Sequence, residues 1–160
     1  MIRRLLSATL AFVFSIMPFG MFASHQEDAY MLVFEQSINE DRKFKNIAVD
    51  LTKVKLKNTS KLVERLQAYC DERGATLLLD DYQGLKEKGY IKIKYFKLGD
   101  GMLEPYPHFE DGIFIRFNDI ELTKNSLVTT VDFFTTGWWY EVKRIRGEWQ
   151  IVETSRAWIS

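Results

Sequence analysis

The chain has few of the residues that build most metal, redox and nucleophilic sites. Its 160 residues include one cysteine, two histidines and three prolines. The single cysteine, Cys70, excludes an intramolecular disulfide. Metal sites need clusters of Cys, His or carboxylate at ligand spacing, and His25 and His108 lie far apart along the sequence. We therefore predict no metal and no cofactor.

An excess of charge of either sign is also missing. The 22 basic side chains are matched by 22 acidic ones, so the formal net charge is zero. A nucleic-acid partner would require a basic face, so we predict none. The Gly99-Asp100-Gly101 stretch precedes no predicted helix, which argues against a phosphate-cradling loop.

One long hydrophobic run is present, at the N-terminus. The basic start MIRR is followed by a charge-free run from Leu5 to Ala23, and then by the polar stretch SHQED. This pattern predicts a secretory signal peptide at residues 1–23, with a single periplasmic or secreted domain at residues 24–160. The run also nearly reaches the length that crosses a hydrocarbon layer of about 30 Å. An uncleaved anchor, with the domain outside the cytoplasm, is the alternative, and membrane contact is expected only through this segment.

Two amphipathic helices are predicted early in that domain. Apolar residues recur at helical spacing from Asp28 to about Asn39. A second helix follows the capping candidates at residues 58–60 and ends at Gly74, which suits a left-handed C-cap. Cys70 lies on its apolar stripe, so we expect a buried thiol; a reactive or intermolecular thiol is the alternative.

Strand patterns fill the remainder. Residues 46–58 alternate with a break near Thr52, residues 75–81 predict a short buried strand, and residues 83–89 predict a helical turn or a loop. Three later stretches, 90–97, 112–122 and 125–136, alternate apolar and polar residues and predict a meander. The intervening residues 99–112 predict a long loop.

The last predicted element is a hairpin. Arg146-Gly147 is a plausible two-residue turn. It would pair Arg144 with Trp149, Val142 with Ile151, and Tyr140 with Glu153. Trp149 would then belong to the core, with Arg144 stacked across it at the rim.

All four tryptophans lie in the final 26 residues. Trp138 and Trp139 are adjacent, so they must face opposite sides of a strand. One of the two is therefore core and the other is a candidate exposed aromatic for binding.

The order of elements, two helices followed by long strands, resembles the nuclear-transport-factor-two-like or cystatin-like α+β class. The final stretch YEVKRIRGEWQIVETSRAWIS is similar to the last hairpin of those domains. The resemblance implies N-terminal helices packed on a curved, cone-like antiparallel sheet. Enzymes of this class hold an acid–base dyad inside the cone, and no pair of residues here matches that dyad.

Candidate catalytic residues are therefore few. Asp132 is a carboxylate set among apolar strand residues, and burial would raise its pKa enough for a general base. Its predicted partners are Tyr140 or His108. On alternation Asp132 shares a face with Thr130 and Phe134, so an outward, solvated position is the simpler prediction.

Calcium binding, a Cys–His nucleophile pair and binding of anions each have a simpler structural alternative in this sequence. The acidic residues Asp100, Glu104, Glu110 and Asp111 lack regular calcium-ligand spacing, and a solvated loop is the simpler interpretation. Cys70 with His108 lacks the local signature of a nucleophile pair. The basic cluster of Lys143, Arg144 and Arg146 is predicted as an exposed strand edge, with contact to an anionic polymer or lipid as the alternative.

Two functions follow from these patterns. The first is an exported, non-catalytic module that binds a small molecule or a protein through a curved-sheet pocket or a sheet face. The second is a small pocket enzyme that uses Asp132 with Tyr140 or His108. The predicted binding residues are Trp138, Trp139, Tyr106, His108 and Arg144.

Overall fold

A computed structural model describes residues 25–38, 42–99 and 101–159. The predicted signal segment, residues 1–23, lies outside them, as does Asn39, the predicted end of the first helix. The fold is mixed α+β. In chain order the elements are α1 (Gln26–Ser37), β1 (Asn46–Lys53), α2 (Ser60–Glu72), β2 (Thr76–Leu79), α3 (Tyr82–Glu87), β3 (Ile91–Lys97), β4 (Leu103–Phe109), β5 (Gly112–Leu122), β6 (Ser126–Asp132), β7 (Thr136–Ile145) and β8 (Glu148–Ile159).

Six strands form a curved, unclosed sheet in the order β2-β1-β5-β6-β7-β8. From β5 to β8 all pairs are antiparallel, as predicted. The sheet departs from the predicted antiparallel arrangement at one side only, where β1 runs parallel to both β2 and β5. Helix α2 connects β1 to β2, and parallel neighbours require such a crossover.

The prediction that residues 75–81 form a buried strand is also wrong in part. A strand does form there, but β2 lies at an edge of the sheet, and the side chain of Leu79 is exposed. The pairing of β1 with β5 is irregular between Asp50 and Lys53, where a break near Thr52 was predicted, but the strand ends at Lys53 and does not resume over residues 54–58 as predicted.

Strand β3 does not join the large sheet, contrary to the predicted meander. It pairs with β4, which arises from the stretch predicted as a loop. Two prolines in β4, Pro105 and Pro107, made a strand unexpected. They stand opposite Tyr95 and Ile93, which are two residues apart on β3. Backbone groups alternate in direction along a strand, so both prolines can occupy positions whose N–H would point away from β3.

The main core lies between one face of the large sheet and the first two helices. Tyr30 and Phe34 of α1 and Leu66 of α2 are fully buried there, together with Phe117 and Val131 of the sheet. The rings of Tyr30 and Phe117 meet edge-to-face at 5.6 Å. The predicted inward alternation of β5 and β6 is confirmed. We call this side of the sheet the inner face.

A second, smaller cluster covers part of the opposite side, the outer face. It joins Ala48 of β1 and Phe114 of β5 to Leu85 of α3 and to the bases of β3 and β4, at Ile91 and Phe109. Further along, on β6 and β7, the outer-face side chains of Thr130, Trp139 and Glu141 are half-buried.

Both predicted helices are confirmed within the described residues. In α1 the Asp28 carboxylate accepts a 2.7 Å hydrogen bond from the His25 backbone N–H, which caps the first turn. Gly74 follows α2 with φ +65°, the left-handed conformation predicted for it. Cys70 is buried and unpaired by any disulfide, and burial raises the pKa of its thiol to about 11.

The β7–β8 hairpin closes at Arg146 (φ 53°) and Gly147 (φ 91°), so both turn residues have positive φ, as a type I′ turn requires. Arg144 pairs with Trp149, and Val142 pairs with Ile151, as predicted. The predicted pairing of Tyr140 with Glu153 is wrong. An irregularity between Glu141 and Val142 shifts the register by one residue, so Tyr140 stands opposite Thr154.

Candidate functional site

The outer face of the sheet carries a row of polar side chains from neighbouring strands. Arg116 of β5 stands directly beside Asp132 of β6, and Asn118 stands beside Thr130. On the far side of β6, Gly137 and Trp139 of β7 stand beside Asp132 and Thr130. Because side chains alternate along a strand, all of these groups project from one surface.

Asp50 anchors one end of this row. Its side chain is only 2% exposed, and its Oδ2 accepts a 2.9 Å hydrogen bond from Arg116 Nε. The other oxygen, Oδ1, accepts bonds from the Thr52 backbone N–H at 2.9 Å and the Thr52 hydroxyl at 2.6 Å. The Arg116 guanidinium also lies 5.4 Å from the centre of the Phe114 ring. This ion pair is held from several directions, which a buried charge requires.

Asp132 is fixed by donors from strands on either side. Its Oδ2 accepts a short hydrogen bond from Asn118 Nδ2, and its Oδ1 accepts a bond of 3.1 Å from Trp158 Nε1. The residue as a whole is half-buried. The predicted outward position of Asp132 is confirmed, although the carboxylate is bound within a network.

Trp158 lies against the backbone of β7 at Gly137. A Cβ atom added at Gly137 would come within 2.2 Å of Trp158 Nε1, so only glycine leaves room for the indole. The Trp158 side chain remains 37% exposed. A partly exposed indole therefore lies on the sheet surface beside the Asp132 carboxylate.

Trp138 and Trp139 face opposite sides of β7, as predicted. Trp138 packs against the main core, and the Arg156 guanidinium lies 5.3 Å from the centre of its ring. Trp139 stands between Thr130 and Ser155 on the outer face. Its position is two residues along β7 from Gly137, where Trp158 lies. We call Asn118, Thr130, Asp132, Trp139 and Trp158 the outer-face platform.

An aromatic cluster stands near the Arg116 end of the platform. Phe114 and Phe134 stack in parallel at 5.2 Å, and the Tyr82 ring of α3 meets both of them edge-on. Phe134 follows the end of β6, two residues after Asp132. Packed rings of this kind give the adjoining surface a fixed shape.

The remaining predicted site residues lie elsewhere. Tyr140 is buried in the main core, where its hydroxyl oxygen lies 3.2 Å from the Ser37 hydroxyl. Tyr106 and His108 lie on β4, with ring centres 6.3 Å apart. Asp132 therefore lies on the outer face, Tyr140 in the main core, and His108 on β4. Arg144, which stands opposite Trp149, donates a 3.2 Å hydrogen bond from its Nε to the Gly147 carbonyl oxygen.

One acidic residue on the inner face, Asp119, was not predicted from the sequence. Asp119 Oδ2 accepts a short hydrogen bond from the Tyr30 hydroxyl and a 2.7 Å bond from the Lys55 backbone N–H. Burial, followed by the bond to Asp119, raises the pKa of Tyr30 well above its ordinary value, so this phenol stays protonated. A signal was present, because Asp119 continues the inward alternation of Ile115 and Phe117.

A cavity of about 300 Å³ opens beside the C-terminal end of α2. Tyr69 and Arg73 of α2 form one wall, with the guanidinium carbon of Arg73 3.6 Å from the centre of the Tyr69 ring. Ile38, Phe44 and Ile47 supply apolar lining. None of the predicted site residues reaches this cavity.

Neither a metal-ligand cluster nor a membrane-spanning helix occurs in the described residues. No group of three or more His, Cys, Asp or Glu side chains in residues 25–38, 42–99 and 101–159 could hold a metal ion. Within the same part of the chain, no helix has both the length and the apolar character needed to cross a membrane.

Comparisons with known proteins identify no relative of this chain. No protein-family model matches the chain, and neither a curated protein nor a solved structure matches it.

Proposed function

We propose that the chain is a non-catalytic binding module whose ligand lies on the outer-face platform. One observation carries this proposal: the hydrogen bond from Trp158 Nε1 to Asp132 Oδ1, formed across Gly137. It holds an exposed indole and a carboxylate in fixed relative positions before any ligand arrives. Such preorganisation lowers the entropy that binding must overcome.

The chemistry of the platform favours a ligand with an apolar face and hydroxyl groups at its edge, such as a sugar ring. The indoles of Trp139 and Trp158 offer flat apolar surface. An ionised carboxylate has about four acceptor positions. Asn118 and Trp158 use two of those on Asp132. The remaining positions, with the hydroxyl of Thr130, can bind ligand hydroxyl groups.

The alternative, a pocket enzyme that uses Asp132 with Tyr140 or His108, has less support. Tyr140 is buried on the inner face, on the opposite side of the sheet from Asp132, and His108 lies on β4 in the separate two-stranded sheet. A general base must lie within hydrogen-bond reach of its partner or one water away.

We also propose that the module acts outside the cytoplasm, on the basis of the signal-peptide pattern of residues 1–23. The likeness to the nuclear-transport-factor-two-like or cystatin-like class, with its cone-like sheet, remains part of the same proposal. The parallel pairing of β1 is a departure from the antiparallel sheet that this likeness implied.

Fluorescence titration tests the binding proposal, because a ligand on the platform would change the emission of Trp139 and Trp158. The probes are soluble tetrasaccharides of glucose, of N-acetylglucosamine and of xylose, with each affinity checked by calorimetry. We expect at least one probe to bind and the Trp139→Ala and Asp132→Ala variants to bind it about tenfold more weakly, the usual loss when one well-placed contact is removed.

Tyr106→Ala is the matched control, since Tyr106 is an aromatic on β4, away from the platform. It should retain the affinity of the unchanged chain. If none of the sugars binds, or if the Tyr106 variant loses as much affinity as the platform variants, the proposal is wrong. Melting temperatures of all variants show whether lost binding reflects lost folding.

A further inference from the structure

The β3–β4 hairpin exposes one strand edge. Within the described residues β3 pairs with β4 alone, and every residue from Lys92 to Lys97 is exposed. The hairpin is held to the rest of the molecule through its base, where Ile91 and Phe109 are buried. An exposed edge strand presents unpaired N–H and C=O groups on which a further strand can form.

The prolines decide which edge is open. Pro107 and Pro105 stand opposite Ile93 and Tyr95, and a proline cannot donate a hydrogen bond to the ladder. The two strands are therefore joined through the alternate positions, which on β3 are Lys92, Lys94 and Phe96. On β4 the outward N–H groups are missing at both prolines, so this edge is blunted. On β3 the backbone groups of Ile93 and Tyr95 point outward.

Side chains on the two faces of β3 differ in character. Ile93 (40% exposed) and Tyr95 (63%) share a face with Leu103 (66%) of β4. Exposed apolar patches of this kind mark interaction surfaces. The opposite face of β3 carries Lys92 and Lys94 together with Phe96, and Lys97 ends the face of Ile93 and Tyr95.

We propose that a partner protein adds an extended segment along the outer edge of β3. The segment has acidic side chains opposite Lys92 and Lys94, and apolar side chains opposite Ile93 and Tyr95. Backbone hydrogen bonds to Ile93 and Tyr95 supply affinity in this mode of binding, and the alternating side chains supply specificity. Opposite charges directly across a strand pair stabilise it, whereas like charges destabilise it.

The existing ion pair of the hairpin is compatible with this partner. Lys92 Nζ lies 3.2 Å from Glu110, and both side chains are more than half exposed. Exposed pairs contribute little to stability, so a partner carboxylate can replace Glu110 at small cost. A second copy of this chain fits less well. If the β3 strands of two copies paired antiparallel along their whole length, the pairing would be centred on Lys94. The two Lys94 side chains would then stand opposite each other.

The test uses fluorescein-labelled heptapeptides with blocked ends, one alternating Glu and Val and the other alternating Lys and Val. Anisotropy is measured with the full chain. We expect the acidic peptide to bind about tenfold more tightly than the basic one, because charge complementarity selects between them. The combined change Lys92→Glu with Lys94→Glu should reverse that preference.

Ile93→Pro tests the backbone contact. It removes an outward N–H while leaving the bonds to β4 intact, so affinity for the acidic peptide should fall about tenfold. Ile93→Val is the matched control, because it keeps the N–H and should bind as the unchanged chain does. Circular dichroism checks folding, and Tyr95→Pro provides a second variant by the same logic.

Three outcomes would overturn the proposal. The first is equal affinity for the two peptides, which includes no measurable binding of either. The second is an Ile93→Pro variant that folds and binds at full strength. The third is a dimer in sedimentation velocity that Ile93→Pro abolishes, which would assign the edge to a second copy of the chain.

Discussion

Trp149 Nε1 donates a 2.8 Å hydrogen bond to the backbone carbonyl of His25, 124 residues earlier in the chain. The indole is 9% exposed and packs in the main core, as the sequence predicted. The bond ties the last strand to the residue that precedes α1. Trp149 thus contributes both apolar burial and a polar contact that a smaller ring would lack.

We expect Trp149→Ala to lower the free energy of unfolding by about 3–5 kcal/mol, the usual cost of truncating a large buried aromatic. Trp149→Phe should cost less, because most of the ring burial remains and chiefly the bond to His25 is lost. Urea denaturation measures both. Trp139 lies on the outer face, so Trp139→Ala should lower the free energy of unfolding by less than Trp149→Ala or Trp138→Ala does. Equal losses at all three positions would contradict this assignment of faces.

Gly137→Ala should displace the Trp158 indole, because the new Cβ would lie 2.2 Å from Nε1. We expect a loss of about 1–3 kcal/mol, typical of overpacking, and a change in tryptophan emission as the bond to Asp132 breaks. A double-mutant cycle gives the control. In a Trp158→Ala background the same glycine change should be nearly neutral. A large residual cost there would show that the backbone, and not the indole, requires glycine.

Arg116→Ala should be markedly destabilising, since it leaves the buried carboxylate of Asp50 without its cation. Removing one partner of a buried pair costs about 3–5 kcal/mol. Lys45→Ala is the comparison, because it breaks the ion pair with Asp111 in which both side chains are more than half exposed. That change should leave the denaturation midpoint nearly unchanged. Similar midpoints for the two variants would mean that the Asp50–Arg116 pair is not the anchor described above.

The raised pKa of Tyr30 in the folded protein predicts a loss of stability in alkaline solution. Its pKa is raised in the folded protein by burial and by the bond to Asp119, so the unfolded chain loses this proton first. The stabilising contribution is complete below about pH 10, the ordinary tyrosine pKa, and declines as pH rises above it.

Melting temperatures between pH 9 and pH 11.5 measure the effect. In Tyr30→Phe the alkaline decline should be shallower, although the variant is less stable at neutral pH. Tyr95→Phe, at an exposed position, serves as the control. An unchanged alkaline slope in Tyr30→Phe would contradict the prediction.

The features that could be predicted from sequence are those that short-range periodicity determines. The α2 stripe around Cys70, the inward alternation of β5, and the Arg146-Gly147 turn each depend on neighbours a few residues apart. The position of β3 outside the large sheet depends on pairing with β4, which the two prolines concealed. The candidate site was harder to predict from the sequence than the fold. Asp132 was identified, but Trp158 reaches it only because an irregularity between Gly137 and Trp138 changes which side of β8 faces outward.

The place of β1 in the sheet has a consequence for the order of folding. Strands β5 to β8 pair with their neighbours in sequence, whereas β1 pairs with β5 across a long loop; Asp50 and Arg116 are 66 residues apart. Contacts between distant residues form late, because closing a long loop costs entropy before any contact compensates for it. We expect the C-terminal meander to form first and β1 to dock onto it afterwards. During synthesis, therefore, β1 can pair with β2 early, but its other edge must wait for β5, which the ribosome makes later.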